Sequence, residues 1–325
     1  MPDLSQPDSA RLQCLGRGSL TGTNPLAIDR FEAAYLGRTS AVPTQLPPQA
    51  ETRSIQAMTG ADGLQFALLT HAAEQRLWAR DEKSDQNWRP MELAQEMTGP
   101  GQRISQMACF NQHLYLAIDD SVRGFSLWQQ PLRGDANEWR QLLKDGAYDY
   151  SNNAHVTALF AEGDTLLIAT RAEERLLKLK TRPVGPELIA IDSEGNWDLL
   201  MGTTRPSDEG LVVPAAGMGR GFDLHGVSQI SALGKTPAGY LAAIALPPGQ
   251  HKQPCQLWQS ADLVSWQPLA VATPWGENAR VVRMVHGPEG LLLYLQGLEA
   301  EGSTMADAPV LDELPAGIEL WLLRD

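Results

Sequence analysis

The chain has 325 residues, 43% of them hydrophobic and 20% charged, which supports a sizeable core and excludes a disordered or collagenous chain. Its 39 acidic and 26 basic residues leave a net charge of −13. That balance excludes a nucleic-acid surface, whose phosphates need clustered Lys and Arg, and argues against anionic membranes.

Residues 1–54 hold one candidate strand at Arg11–Leu15 and a second short one at Ala33–Leu36, followed by an extended passage marked by Pro43, Pro47 and Pro48. A repeat begins at Ile55. Each unit opens on two apolar residues three positions apart: Ile55/Met58, Ile104/Met107, Val156/Leu159, Ile230/Leu233 and Val281/Met284. A turn then leads to a short apolar strand (Leu64–Leu69, Leu114–Ile118, Leu166–Ala169, Tyr240–Ile244, Leu291–Leu295). A third strand carries Trp78, Trp128, Leu176-Leu177, Trp258 or Trp321, and a fourth is marked by Trp88, Trp139, Trp197 or Trp266.

The openings lie 49, 52, 74 and 51 residues apart. Four short strands recurring at such a period predict an all-β fold, a five-bladed β-propeller of four-stranded blades in one domain spanning residues 1–325. The fifth repeat stops after its third strand, so the expected fourth is Arg11–Leu15, pairing beside Ile318–Leu323 and closing the ring. Six blades are the alternative, for which Ala27–Arg53 is too short and proline-rich. The 74-residue interval predicts an inserted loop at 203–226, with five glycines and two prolines. A second loop, Leu298–Gly317, is acidic and reads as a solvated excursion.

The stretch Ser260-Ala261-Asp262-Leu263-Val264-Ser265-Trp266 resembles a degenerate Asp-box, the S-x-D-x-G-x-x-W turn of sialidase-like bacterial propellers. Asp192 to Trp197 resembles its second half, and Asp135 to Trp139 resembles it more faintly. The resemblance implies a propeller fold, with each box a structural hairpin between third and fourth strands. The arginine triad, Tyr/Glu pair and acid of sialidase chemistry have no counterpart here, so the resemblance implies the fold and no activity.

In a propeller the residues just before each opening gather at one mouth of the channel. Arg53, Arg103, His155 and Arg280 would form a cationic ring there, suited to a carboxylate or phosphate because guanidinium offers paired donors. The bland counterpart is that they brace neighbouring blades. Tyr148-Asp149, Phe222-Asp223 and Trp275-Gly276-Glu277 recur before three openings, either lining a pocket or plugging the grooves between blades. His155, His225, Asp149 and Asp223 are the candidate proton-transfer groups, and Arg53, Arg103, Arg280, Tyr148, Phe222 and Trp275 the candidate ligand-binding ones. Asp119-Asp120 reads as a solvated hairpin tip.

No nucleophile motif occurs, the six histidines lack metal spacing, and no cofactor is implied. Cys14, Cys109 and Cys255 are odd in number, without C-x-x-C. No basic-then-apolar leader follows Met1, and no apolar run approaches about 18 residues. A protein of the reducing cytoplasm is the expectation. The leading functional expectation is a non-enzymatic binding or assembly module presenting propeller faces to a protein partner. The alternative is a small-molecule lyase, hydrolase or isomerase acting on an anionic substrate at the channel mouth.

Overall fold

The apolar pair that opens every repeat is a β-bulge. Strands place side chains on alternate faces, so residues three apart should fall on opposite sides. One extra residue between them restores a common face. The computed structural model of the chain carries this bulge in all five repeats, between Ile55/Ala57, Ile104/Gln106, Val156/Ala158, Ile230/Ala232 and Val281/Arg283. Ile104 lies opposite Ile118 and Met107 opposite Leu116, and all four pack in one core.

The structure describes residues 11–20, 25–36, 46–48, 54–71, 74–84, 87–133, 138–147, 150–171, 185–207, 210–217, 222, 229–245, 255–271, 275, 279–297, 309–315 and 317–324. The fold is all-β, the repeat of a five-bladed β-propeller, and it divides into two compact units, Asn24–Val227 and Met1–Thr23 with Ser228–Asp325. Strand β1 (Arg11–Leu20) is followed by helix α1 (Pro25–Tyr35), which replaces the short strand expected at Ala33–Leu36. Phe31 and Ala27 bury its apolar side, and Phe31 stacks on Tyr35 one turn later.

Blade 1 comprises β2 (Ser54–Ala61), β3 (Leu64–His71), β4 (Glu74–Asp81) and β5 (Arg89–Met91). Blade 2 comprises β6 (Gln102–Phe110), β7 (His113–Asp120), β8 (Ser126–Pro131) and β9 (Arg140–Leu143). Blade 3 comprises β10 (His155–Glu162), β11 (Thr165–Arg171), β12 (Leu188–Asp192) and β13 (Trp197–Met201). All are antiparallel meanders. The third strand of blade 3 is therefore Leu188–Asp192, whereas the expected Leu176-Leu177 lies outside the described residues. The first strands of these blades are neighbours, β6 lying beside both β2 and β10. The insert opens with a hairpin, β14 (Arg205–Ser207) and β15 (Gly210–Val212), and then runs along β13, where Ala215 and Ala216 donate to Leu199 and Leu200.

The second unit holds blade 4, made of β16 (Gln229–Thr236), β17 (Gly239–Ala245), β18 (Gln256–Ser260) and β19 (Gln267–Pro268). Blade 5 contains β20 (Arg280–Gly287), β21 (Gly290–Gln296), β22 (Val310–Pro315) and β23 (Ile318–Arg324). Its fourth strand in order is β1, antiparallel to β23 from Arg11↔Arg324 to Arg17↔Glu319, as the truncated fifth repeat predicts. The acidic loop corrects one expectation: within it β22 pairs parallel with β1, because β1 otherwise presents an open edge.

The blades are glued face to face. Leu68, Leu77, Leu114 and Leu116 fill the core between blades 1 and 2, and Tyr115, Phe125, Ile168 and Ile189 the core between blades 2 and 3. Between blades 4 and 5 Trp321, Leu257 and Leu293 do the same. Fully burying each such aliphatic side chain is worth roughly 1.5–3 kcal/mol, and a lone blade has two faces with nothing to bury them against.

Candidate functional site

In blades 2, 3 and 5 the start of the first strand presents a backbone N–H that a side chain of the preceding blade takes up. In blade 2 this is Ile104, whose N–H donates to Gln75 Oε1 at 2.8 Å, while Gln75 Nε2 and Gln56 Nε2 donate to Ile104 O at 2.8 and 2.9 Å. In blade 5 it is Val281, bonded by the Cys255 thiol. Burial pushes that thiol up to about 11, so at neutral pH it is uncharged.

Blade 3 answers the same need with charge. Val156 donates its N–H to Asp119 Oδ1 at 3.0 Å, and Ser105 Oγ, the bulge residue of β6, donates to the same oxygen at 2.6 Å. The other carboxylate oxygen holds His155 Nδ1 at 2.9 Å. Both side chains are about a fifth exposed, at 19% for His155 and 20% for Asp119. A carboxylate on Nδ1 fixes that nitrogen as the protonated one, so in the neutral ring Nε2 carries the lone pair. Ser105 directs its proton at Asp119 and not at His155, an arrangement that orients an imidazole and does not activate a serine nucleophile.

Arg103 sits opposite Asp119 in register, so the two side chains leave the same face of the β6/β7 pair. It is exposed, and among the described residues it makes no hydrogen bond or ion pair. An unengaged guanidinium near a carboxylate-held imidazole can anchor an anion while the imidazole moves a proton.

Beneath the connection from blade 2 to blade 3 lies a second cluster that the sequence reading missed. Glu187, wholly buried, is bridged by Arg205 through its two terminal guanidinium nitrogens, at 2.6 and 3.1 Å. Asn153 Nδ2 donates to its Oε2 at 2.8 Å and Thr203 N–H to its Oε1 at 3.1 Å. Arg205 also donates to Thr203 O and Ala147 O and lies 4.4 Å over the Tyr150 ring. Burial pushes the Glu187 carboxyl up from its ordinary value, with the Arg205 charge pulling the other way. Two glycines make room: a Cβ at Gly202 would meet Glu187 Oε1 at 2.6 Å, and one at Gly146 would collide with the carbonyl of Tyr150. Asn153 Oδ1 and Arg205 Nε stay buried without a partner among the described residues, each costing about 1–3 kcal/mol unless water reaches it. The available signal was a glutamate at the head of the apolar run Leu188–Ile191, and an arginine in an otherwise Gly- and Pro-rich insert.

The other described candidates have buried or bonded side chains. Arg280, in the C-terminal unit, donates to Gln296 Oε1 at 2.9 Å. Trp275 is buried, gives its indole N–H to Cys255 O at 3.0 Å and packs edge-on against Trp321 at 5.8 Å, so it fills the core between blades 4 and 5. Phe222 is likewise buried, at 1% exposure. Arg53, Tyr148, Asp149, Asp223 and His225 lie outside the described residues. The solvated hairpin tip expected at Asp119-Asp120 is corrected: Asp120 is buried and caps its turn through the N–H groups of Val122 and Arg123, at 2.8 and 2.9 Å. Partial burial raises its carboxyl, and these N–H groups with Gln102 and the Arg123 side chain lower it further, leaving it below the ordinary value. Among the described residues no group of three or more His, Cys, Asp and Glu is placed to hold a metal ion, and no helix is long and apolar enough to cross a membrane.

No protein-family model and no curated protein sequence matches the chain. Solved structures do resemble it in fold. An exo-β-1,3-galactanase from Phanerochaete chrysosporium, in complex with β-1,3-galactotriose, aligns with a TM-score of 0.45 at 9% identity, over 95% of this chain and 63% of that one. An exo-1,5-α-L-arabinanase from a bovine ruminal metagenomic library aligns at 0.40 and 12% identity, over 83% and 92%. A prolyl endopeptidase aligns at 0.42 and 10% identity, over 77% of this chain but 32% of its own. These likenesses transfer no residue and no substrate to this chain. The proteins so named are enzymes, and the expectation of a non-enzymatic module presenting its faces to a protein partner is set aside on that finding.

Proposed function

We propose that the protein is a small-molecule enzyme that moves a proton to or from an anionic substrate at the start of the first strands of blades 2 and 3. Asp119 orients His155, whose Nε2 exchanges the proton, and Arg103 anchors the carboxylate or phosphate of the substrate. The observation that supports this reading is the 2.9 Å contact between His155 Nδ1 and Asp119, opposite an exposed arginine that has no partner among the described residues. A neutral amide does the structural part of this task one blade earlier, so a carboxylate holding an imidazole exceeds what bracing requires. Lyase, hydrolase and isomerase chemistry all use such a base, and an anion-holding arginine suits each.

The turn at Ser260–Trp266 fits the reading of a degenerate Asp-box with a structural role. Asp262 Oδ1 accepts the N–H groups of Val264 and Ser265 at 2.9 and 2.7 Å, and Leu263 takes a φ of 65°. Three free cysteines fit a reducing cytoplasm.

The test is a screen of small carboxylates and phosphate esters for conversion, followed by NMR, alongside their effect on thermal unfolding. A compound that the wild type converts, that His155→Ala leaves unconverted and that Arg103→Ala binds more weakly is the expected result. Conversion by neither protein, with no compound raising the melting temperature of wild type above that of Arg103→Ala, would sink it.

A further inference from the structure

The junction of blades 4 and 5, inside the C-terminal unit, holds a cavity of about 800 Å³, a size that encloses small organic ligands. Register sets one wall. Leu241 lies opposite Gln259 and Gln259 opposite Gln267, so the three side chains form a row on one face of blade 4. Leu323 and Arg324 of blade 5 supply the other wall, and Trp266 borders the row.

The charges at this cavity are already committed. Asp262 accepts four bonds within its own turn, from Val264 N, Ser265 N, Ser260 Oγ and Ser265 Oγ, and Arg324 pairs with Glu289 at 3.5 Å. Two neutral side chains are not. Among the described residues the side-chain amides of Gln259 and Gln267 have no hydrogen-bond partner, and each offers both donors and an acceptor. Trp266 spends its indole N–H on Leu263 O at 2.9 Å. Its ring is thereby held, offers an apolar surface, and loses little freedom on meeting a ligand.

Two unengaged amides beside a fixed aromatic ring, with no unpaired charge, suit a neutral ligand. That ligand carries hydroxyls that both donate and accept, on a ring with an apolar C–H face. Those are the properties of a sugar. We propose that this cavity is a saccharide-binding site, with the ring stacked on Trp266 and its hydroxyls bonded by Gln259 and Gln267. It lies in a different unit from His155 and is independent of the proton-transfer reading.

The experiment is saturation-transfer NMR and calorimetry on the full chain with neutral di- and trisaccharides of glucose, galactose, arabinose, xylose and mannose, and with citrate as an anionic probe. At least one saccharide is expected to bind with a Kd tighter than about 10 mM, and the Gln259→Ala/Gln267→Ala double variant to weaken it at least about tenfold. Trp266→Phe keeps a stacking face and should retain more affinity than Trp266→Ala, and unfolding curves confirm that each variant is folded. Arg103→Ala should leave saccharide affinity unchanged. The proposal is overturned if no saccharide binds wild type at that concentration, if the double variant binds as tightly as wild type, or if citrate competes for the cavity.

Discussion

Two adjoining blade junctions of the same unit take up an equivalent backbone N–H in chemically different ways. At Ile104 the acceptor is the neutral amide of Gln75, braced by Gln56, whose Oε1 also accepts from Thr70. At Val156 it is the carboxylate of Asp119, which also holds Ser105 and His155. A part-buried carboxylate carries a desolvation cost that an amide avoids. The blade 2/3 junction adds a second charged cluster, Glu187 with Arg205, that has no counterpart among the described residues of the blade 1/2 junction. Bracing two sheets requires neither. The contrast therefore separates what the propeller needs from what the protein does with it.

The largest effect is expected at the buried pair. Arg205→Met leaves Glu187 uncompensated in the interior and should lower stability by about 3–5 kcal/mol in denaturant unfolding, with Glu187→Gln/Arg205→Met recovering part of it. A loss within the range of ordinary surface substitutions would remove the distinction between the junctions.

The comparison itself is tested by a matched pair. Asp119→Leu and Gln75→Leu each strip the acceptor from a strand N–H, and each should cost about 1–3 kcal/mol. Only Asp119→Leu should also abolish substrate conversion. If Gln75→Leu abolishes it equally, the charged junction has no special role.

Asp262 serves as a carboxylate with a structural task alone. Backbone N–H groups of Ser265 and Val264 hold its carboxyl at about 2, below its ordinary 3.8. Its stabilisation is therefore complete above 3.8 and lost as pH falls through about 2. Asp262→Asn should flatten the acid limb of the stability profile in that window, with conversion at neutral pH unaffected. The smallest effect has the opposite sign. Leu263 occupies the left-handed region at a φ of 65°, where a Cβ is crowded, and Leu263→Gly should stabilise the protein by about 0.5–1 kcal/mol in thermal unfolding.

Much of the fold was legible because a repeat multiplies a weak signal. Short strands with period-two alternation are ambiguous singly, but five copies with tryptophans at matching places are not. Trp139 and Trp266 each stand one residue before a fourth strand, and Trp197 begins one. The departures were local. Pro25–Tyr35 forms a helix, although Ala33–Leu36 read as strand, and Val310–Pro315 joins a sheet from within an acidic loop. In both places the outcome depends on a neighbour supplied by tertiary structure.

The site was less legible. Arg103 and His155 stood out by their position before an opening, and Arg103 keeps its exposure. Asp119 was set aside because a pair of aspartates beside a turn looks solvated; its meaning comes from His155 and Val156, 36 and 37 residues later. Trp275 read either as a pocket wall or as a plug between blades, and it is core, packed edge-on against Trp321.

By itself the sequence determined the repeat, most of its strands and the closing partner of the last sheet, since these follow from periodicities along the backbone. Tertiary structure alone decided which polar side chains share a junction and which charges are paired. Hydrogen bonds and desolvation depend on distances of about 3 Å between residues tens of positions apart, and no local pattern encodes those.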